Sequence, residues 1–144
     1  MGGPIIYNLL IVDDEKEIRQ ALSNYIPWEE MGFTVIDTAS NGREAIDYIR
    51  NKDIDVVLCD IKMPVMDGVE LAEIIYKEKI NTKMIFLSAY RDFDFAKKAL
   101  IYGVMDYIVK PTKYQELVDV FKKVKHKLEE GNKLPATTQN PSMD

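Results

Sequence analysis

Five times in succession, a short run of β-branched and aliphatic residues is followed by a stretch whose apolar positions recur three and four apart. No other feature of the chain narrows its fold so far. Apolar runs of about four to eight residues have the length of single buried strands, and the stretches between them repeat at the helical period. The runs are Ile5-Ile6-Tyr7-Asn8-Leu9-Leu10-Ile11-Val12, Phe33-Thr34-Val35-Ile36, Val56-Val57-Leu58-Cys59, Lys83-Met84-Ile85-Phe86-Leu87 and Tyr107-Ile108-Val109. Strands separated by helices are joined by right-handed crossovers and lie parallel. The alternation therefore predicts an α/β domain in three layers, with a parallel sheet between helices.

The helical stretches carry their own punctuation. Ile18, Ala21, Leu22 and Tyr25 share one face, and Pro27-Trp28 and Gly32 mark its exit. Asn41 with Glu44, Asp67 with Glu70, and Thr112 with Gln115 have the spacing of capping boxes. Phe93, Ala96 and Leu100 form a stripe that Gly103 should end. Tyr114, Leu117, Val118, Phe121, Val124 and Leu128 make the clearest amphipathic pattern, so the last helix packs on the sheet. From Gly131 onward periodicity is lost and turn formers accumulate, which predicts a flexible tail. Residues 1–4 are left outside the fold.

A chain of 144 residues fits one domain with a real core. Its net charge of -5 argues against direct nucleic-acid binding, which needs a basic face. The lone Cys59 cannot form an internal disulfide and suits a reducing cytoplasm. No apolar segment approaches the roughly 20 residues of a membrane span, and no signal-peptide pattern precedes the first strand.

Read at the strand ends, the sequence gives Asp13-Asp14-Glu15, then Asp60, Ser88 and Lys110. Parallel strands finish at one edge of a sheet, so these side chains should converge. Clustered carboxylates repel, and they must take up protons or a cation. Mg²⁺ suits them because it prefers oxygen ligands, keeps several waters and is typically held by one or two carboxylates plus phosphate oxygens. Lys110 adds a point positive charge and Ser88 a hydroxyl donor, both suited to phosphoryl oxygens. Asp60 is then a candidate nucleophile, since carboxylates form aspartyl-phosphate intermediates. The single histidine, His126, lies in a lysine run on the last helix and is expected on a solvated face.

In combination these motifs make the sequence resemble the receiver domain of bacterial two-component response regulators, over about residues 8–128. The match rests on Asp13-Asp14, Asp60 followed by Met63-Pro64 and Asp67-Gly68, Ser88-Ala89, Tyr107 and Lys110-Pro111, all in the family's order. The resemblance implies a CheY-like, flavodoxin-like (βα)5 fold with strand order 2-1-3-4-5. It implies a receiver over residues 5–130, with residues 131–144 a flexible tail or the start of a linker to an absent output domain. It further implies that Asp60 takes a phosphoryl group from a sensor histidine kinase. Mg²⁺, for which Mn²⁺ can substitute, would be held by Asp14, Asp60 and the backbone carbonyl of Lys62, with Asp13 acting largely through water. The Lys110-Pro111 peptide is expected to be cis. Ser88 is expected to move toward the phosphoryl group and Tyr107 to rotate inward behind it, reshaping the surface of the fourth helix, fifth strand and fifth helix. No enzymatic turnover is implied beyond transfer to the chain's own aspartate and slow autodephosphorylation.

Lys62 and Tyr90 occupy positions that flank such a group in these domains, and both are expected to slow attack by water. The segments Pro27-Trp28-Glu29-Glu30-Met31-Gly32-Phe33 and Ser88-Ala89-Tyr90-Arg91-Asp92-Phe93 look like receivers attached to AraC-type helix-turn-helix output domains. DNA would be reached only through such a domain, so the chain is expected to be part of a longer protein. The mixed charges Arg91, Asp94, Lys97, Asp106 and Lys122 motivate a homodimer through the fourth-helix to fifth-helix face.

Three other readings compete. A flavin carrier needs a Ser/Thr/Gly-rich phosphate loop after the first strand, where this chain is acidic. A haloacid-dehalogenase-type phosphatase resembles a pattern with a second acid two residues after the nucleophile, a place Lys62 fills. A receiver that no longer takes phosphate and serves as an interaction module would keep the fold without the chemistry.

Overall fold

A computed structural model describes residues 5–89 and 91–137, with side chains through Gly131. The chain runs β1 (Tyr7–Val12), α1 (Lys16–Asn24), a 3-10 turn (Glu29–Met31), β2 (Phe33–Ala39), α2 (Gly42–Asn51), β3 (Val56–Cys59), α3 (Gly68–Lys77), β4 (Lys83–Ser88), α4 (Phe93–Ile101), β5 (Asp106–Val109) and α5 (Tyr114–Thr137). Every strand pair is parallel, and the sheet order is β2-β1-β3-β4-β5. This is the doubly wound order the resemblance implied.

Side chains alternate across the pleat and so supply two cores. Leu10, Val12, Val57, Cys59, Met84 and Phe86 point to one face, where α2, α3 and α4 cover them. Leu9, Ile11, Val56, Leu58, Ile85 and Leu87 point to the other, under α5, Trp28 and Leu22 of α1. Phe33, Trp28 and Phe121 meet edge to face, with ring centroids 4.8 to 6.4 Å apart. Leu117, Phe121 and Val124 of the amphipathic pattern are buried, so α5 packs where its periodicity placed it.

The capping expectations divide. Asp67 and Glu70 form the full reciprocal box at α3. Asn41 accepts the Glu44 amide, but the Glu44 carboxylate turns to the amide of Ser40 instead. Thr112 and Gln115 form no box. α5 starts one residue later than that box requires, so the Thr112 hydroxyl donates to Glu116 and Gln115 reaches Asp119.

Two further differences matter. The stripe on α4 is present but faces outward: Phe93 and Leu100 are 81% and 82% exposed, while Phe95 and Ala99 take the core side. Helix α5 also continues past Gly131 to Thr137, where loss of periodicity predicted a tail. Gly131 and Pro135 disfavour a helix interior by about 1 and about 3 kcal/mol relative to alanine, which is why the sequence predicted an end here. The remaining tail residues 138–144, like residues 1–4, lie outside the described part. Among the described residues no helix is long and apolar enough to cross a membrane.

Candidate functional site

The register of the sheet assembles the site. Val12 stands opposite Cys59, so Asp13 and Asp60 leave adjacent strands side by side. Backbone hydrogen bonds run one residue past the strand ends and hold them there: the Asp60 amide donates to Val12, the Asp13 amide to Ala39, and the Lys110 amide to Ser88. Carboxylate oxygens of Asp13, Asp14 and Asp60 lie within 4.8 Å of one another. Asp13 is buried, Asp14 exposed, and Asp60 intermediate.

Lys110 is the counter-charge. Its Nζ is 2.9 Å from Asp13 Oδ2 and 3.9 Å from Asp60 Oδ2. The Lys110–Pro111 peptide is cis. Asp13 Oδ1 accepts the Glu15 amide, and Asp60 Oδ1 accepts the Ile61 amide. Burial pushes the Asp60 carboxyl above the usual carboxylate range; Lys110 opposes that shift, while Asp13 and Asp14 add to it. One lysine therefore does not neutralise the site, and a cation can.

The loop after β3 is wedged into place. At Gly68 an added Cβ would overlap the Asp60 carbonyl oxygen and come within 3.0 Å of Ile61 Cα, so only glycine lets α3 start this close to the acid. Its amide donates to Ile61. On the far side the Gly42 amide donates to Met66, and a Cβ there would meet Met66 at 2.8 Å. Between these anchors Val65 sits at φ +70°, a left-handed conformation that β-branched residues rarely adopt.

Ser88 is fully buried at the end of β4, next to Lys110. Tyr107 is half-buried on β5, stacked edge-on against Phe86 at 6.0 Å, and burial pushes its hydroxyl above the usual tyrosine range, with the Asp92 backbone opposing that shift. The Lys62 ammonium lies over the Phe95 ring of α4, 5.2 Å from its centroid. Tyr90 lies outside the described residues. His126 is exposed and pairs with Glu130 at 3.0 Å, away from this edge. Sequence reasoning missed Arg19, whose guanidinium donates to the Asp13 carbonyl from α1. An arginine on a solvated first helix carries no local mark of that task.

Three oxygen donors of different burial, one lysine and a neighbouring hydroxyl make a set that fits a hard divalent cation and the oxygens of a phosphoryl group.

Comparisons with known proteins agree. The chain is 35% identical over 119 residues to the transcriptional regulatory protein YesN of Bacillus subtilis, which covers 83% of this chain and 32% of YesN. It is 36% identical over 112 residues to the transcriptional regulatory protein HptR of Staphylococcus aureus, covering 78% and 44%. It thus spans less than half the length of these curated relatives. Among solved structures, the REC domain of AraT, a response regulator from Geobacillus stearothermophilus, superposes with a TM-score of 0.79 at 36% identity, covering 89% of this chain and 99% of that one. A chain of the CheX-CheY-BeF3-Mg complex from Borrelia burgdorferi matches with a TM-score of 0.76 at 34% identity, covering 84% of this chain and 90% of that one. The response regulator receiver domain pattern matches residues 9–122, and on that match the chain belongs to the receiver domain family of response regulators.

Proposed function

We propose that this receiver accepts a phosphoryl group on Asp60 and passes the change to the α4–β5–α5 surface. The observation that carries the reading is the convergence of Asp60 with Asp13, Asp14 and Lys110 at one sheet edge. A carboxylate oxygen of Asp60 attacks phosphorus, the phosphorus–nitrogen bond of a kinase phosphohistidine breaks, and the imidazole leaves with the electron pair. The position of Asp60 Oδ2 on the Lys110 side, 3.9 Å from the ammonium, supports this reading. Lys110 and Ser88 meet the charge that develops on the phosphoryl oxygens.

Asp13, Asp14, Asp60 and the backbone carbonyl of Lys62 would hold Mg²⁺, or Mn²⁺ in its place. The cation would neutralise charge on the acids and on the phosphoryl group. That chemistry is in keeping with the beryllofluoride and magnesium named for the Borrelia complex. The chain acts on its own aspartate, without turnover beyond slow loss of the phosphoryl group, and Lys62 and Tyr90 would slow that loss.

Ser88 and Tyr107 are the proposed switch. Asp92, the N-cap of α4, is close enough to influence the Tyr107 hydroxyl, so a rotation of Tyr107 would be felt at that helix. The outward apolar stripe of Phe93 and Leu100 gives α4 a surface whose placement a partner could read. Homodimerisation through this face fits the exposed charges Arg91, Asp94, Lys97 and Lys122, although Asp106 is already paired with Lys123 at 3.1 Å. In the longer protein the signal would come from a sensor histidine kinase in the cytoplasm and reach DNA through an output domain, of AraC type by resemblance.

Titration with beryllofluoride and Mg²⁺, followed by amide NMR, tests the reading. Shifts at the strand-end residues and α4 are expected in the wild type and not in Asp60→Asn. Equal shifts in both, or none in either, would overturn it.

A further inference from the structure

Lys62 follows the proposed acceptor by two residues, yet its ammonium rests on α4. The Nζ is 5.2 Å from the Phe95 centroid, within the range of a cation–π contact. Phe95 is the side chain by which the first turn of α4 joins the core between α3 and the sheet. Lys62 is itself exposed, so its head group remains in contact with water and can leave the ring. Its backbone, by contrast, belongs to the loop fixed between Gly42 and Gly68. The contact therefore ties a lysine rooted beside Asp60 to a helix that otherwise shows few buried side chains, Ala99 alone being buried.

We infer that Lys62 and Phe95 form a releasable clamp that holds α4 in its unphosphorylated placement. Phosphorylation replaces the single charge of the Asp60 carboxylate with an acyl phosphate of up to two negative charges, carried on oxygens that reach toward the root of Lys62. A neutral ring face holds an ammonium far more weakly than a dianion does. The ammonium then leaves Phe95 for the phosphoryl oxygens, and the first turn of α4 loses this tie to the loop after β3. Lys62 is thus a positioning residue for α4 before modification and a charge partner after it. The inference rests on the phosphoacceptor reading of Asp60, because the clamp needs an anion there to release it.

The test is a cycle of Lys62→Met, Phe95→Leu and the double variant in the whole chain. Each is titrated with beryllofluoride and Mg²⁺, and α4 amide hydrogen exchange is measured without ligand. Without ligand, both single variants should exchange α4 amides about threefold to fivefold faster, the scale of one partly exposed cation–π contact, and the double variant no faster than either. Lys62→Arg should restore wild-type exchange. With ligand, Phe95→Leu should bind about threefold to fivefold more tightly in the wild-type background, and should have no effect on binding in the Lys62→Met background. Additive effects, or α4 exchange indifferent to Lys62→Met, would overturn the clamp. If Phe95→Leu does not fold, the comparison of Lys62→Met with Lys62→Arg decides the matter by exchange alone. Failure of the wild type to bind beryllofluoride would contradict the phosphoacceptor reading instead, and the exchange data would still report on the contact.

Discussion

At the N-terminal end of β3, the Asp55 carboxylate accepts the Asn8 amide at 2.7 Å, while its main chain links β1 to β4 through Asn8 and Lys83. At the C-terminal end of the same strand, Asp60 accepts one amide and otherwise faces two more acids and a lysine. Burial pushes both carboxyls above their usual range. What opposes the shift differs: the Asn8 backbone at Asp55, the Lys110 charge at Asp60. The first end spends its carboxylate on joining strands. The second leaves like charges together, an arrangement that lowers the stability of the free chain and leaves room for a cation and a phosphoryl group.

The largest effect that could break this contrast lies at the wedge beside Asp60. Gly68→Ala must push the α3 entry away from the Asp60 carbonyl, with a loss of about 3 kcal/mol in denaturant unfolding. A loss below roughly 0.5 kcal/mol would mean the loop is not fixed as described. Next comes Asp55→Ala, which strands a partly buried amide and should cost about 2 kcal/mol. Asp60→Asn, at the other end of the strand, should instead stabilise the metal-free chain by about 1 kcal/mol at neutral pH. The sign follows from the raised folded-state value: the ionised group disfavours folding, so this penalty sets in as pH rises above the unfolded carboxylate range, and is absent below it. The gain of Asp60→Asn should therefore vanish in acid. A destabilised Asp60→Asn in metal-free buffer at neutral pH would erase the contrast between the two ends.

The sheet and the acid cluster were legible in the sequence because both follow from strand length and strand ends. Val12 and Cys59 stand in register, and whatever follows them must meet. The outward turn of the α4 stripe was not legible. Periodicity shows that Phe93, Ala96 and Leu100 share a face but not which way it points, and Phe95 and Ala99 compete for the sheet. Thr112 and Gln115 had the spacing of a cap, yet the helix begins at Tyr114, so the spacing fell on the wrong residues. Lys62 on Phe95 and Arg19 on Asp13 are contacts between distant elements made by long, flexible side chains, and nothing local encodes them.

The most direct measurement is the intact mass of the wild-type chain and of Asp60→Asn after incubation with a small-molecule phosphodonor, with Mg²⁺ and with the metal chelated. A single phosphoryl adduct is expected in the wild type, dependent on Mg²⁺ and mapped to Asp60, and no adduct in the variant. An adduct that forms without a divalent cation, or that survives Asp60→Asn, would contradict the phosphoacceptor reading of Asp60.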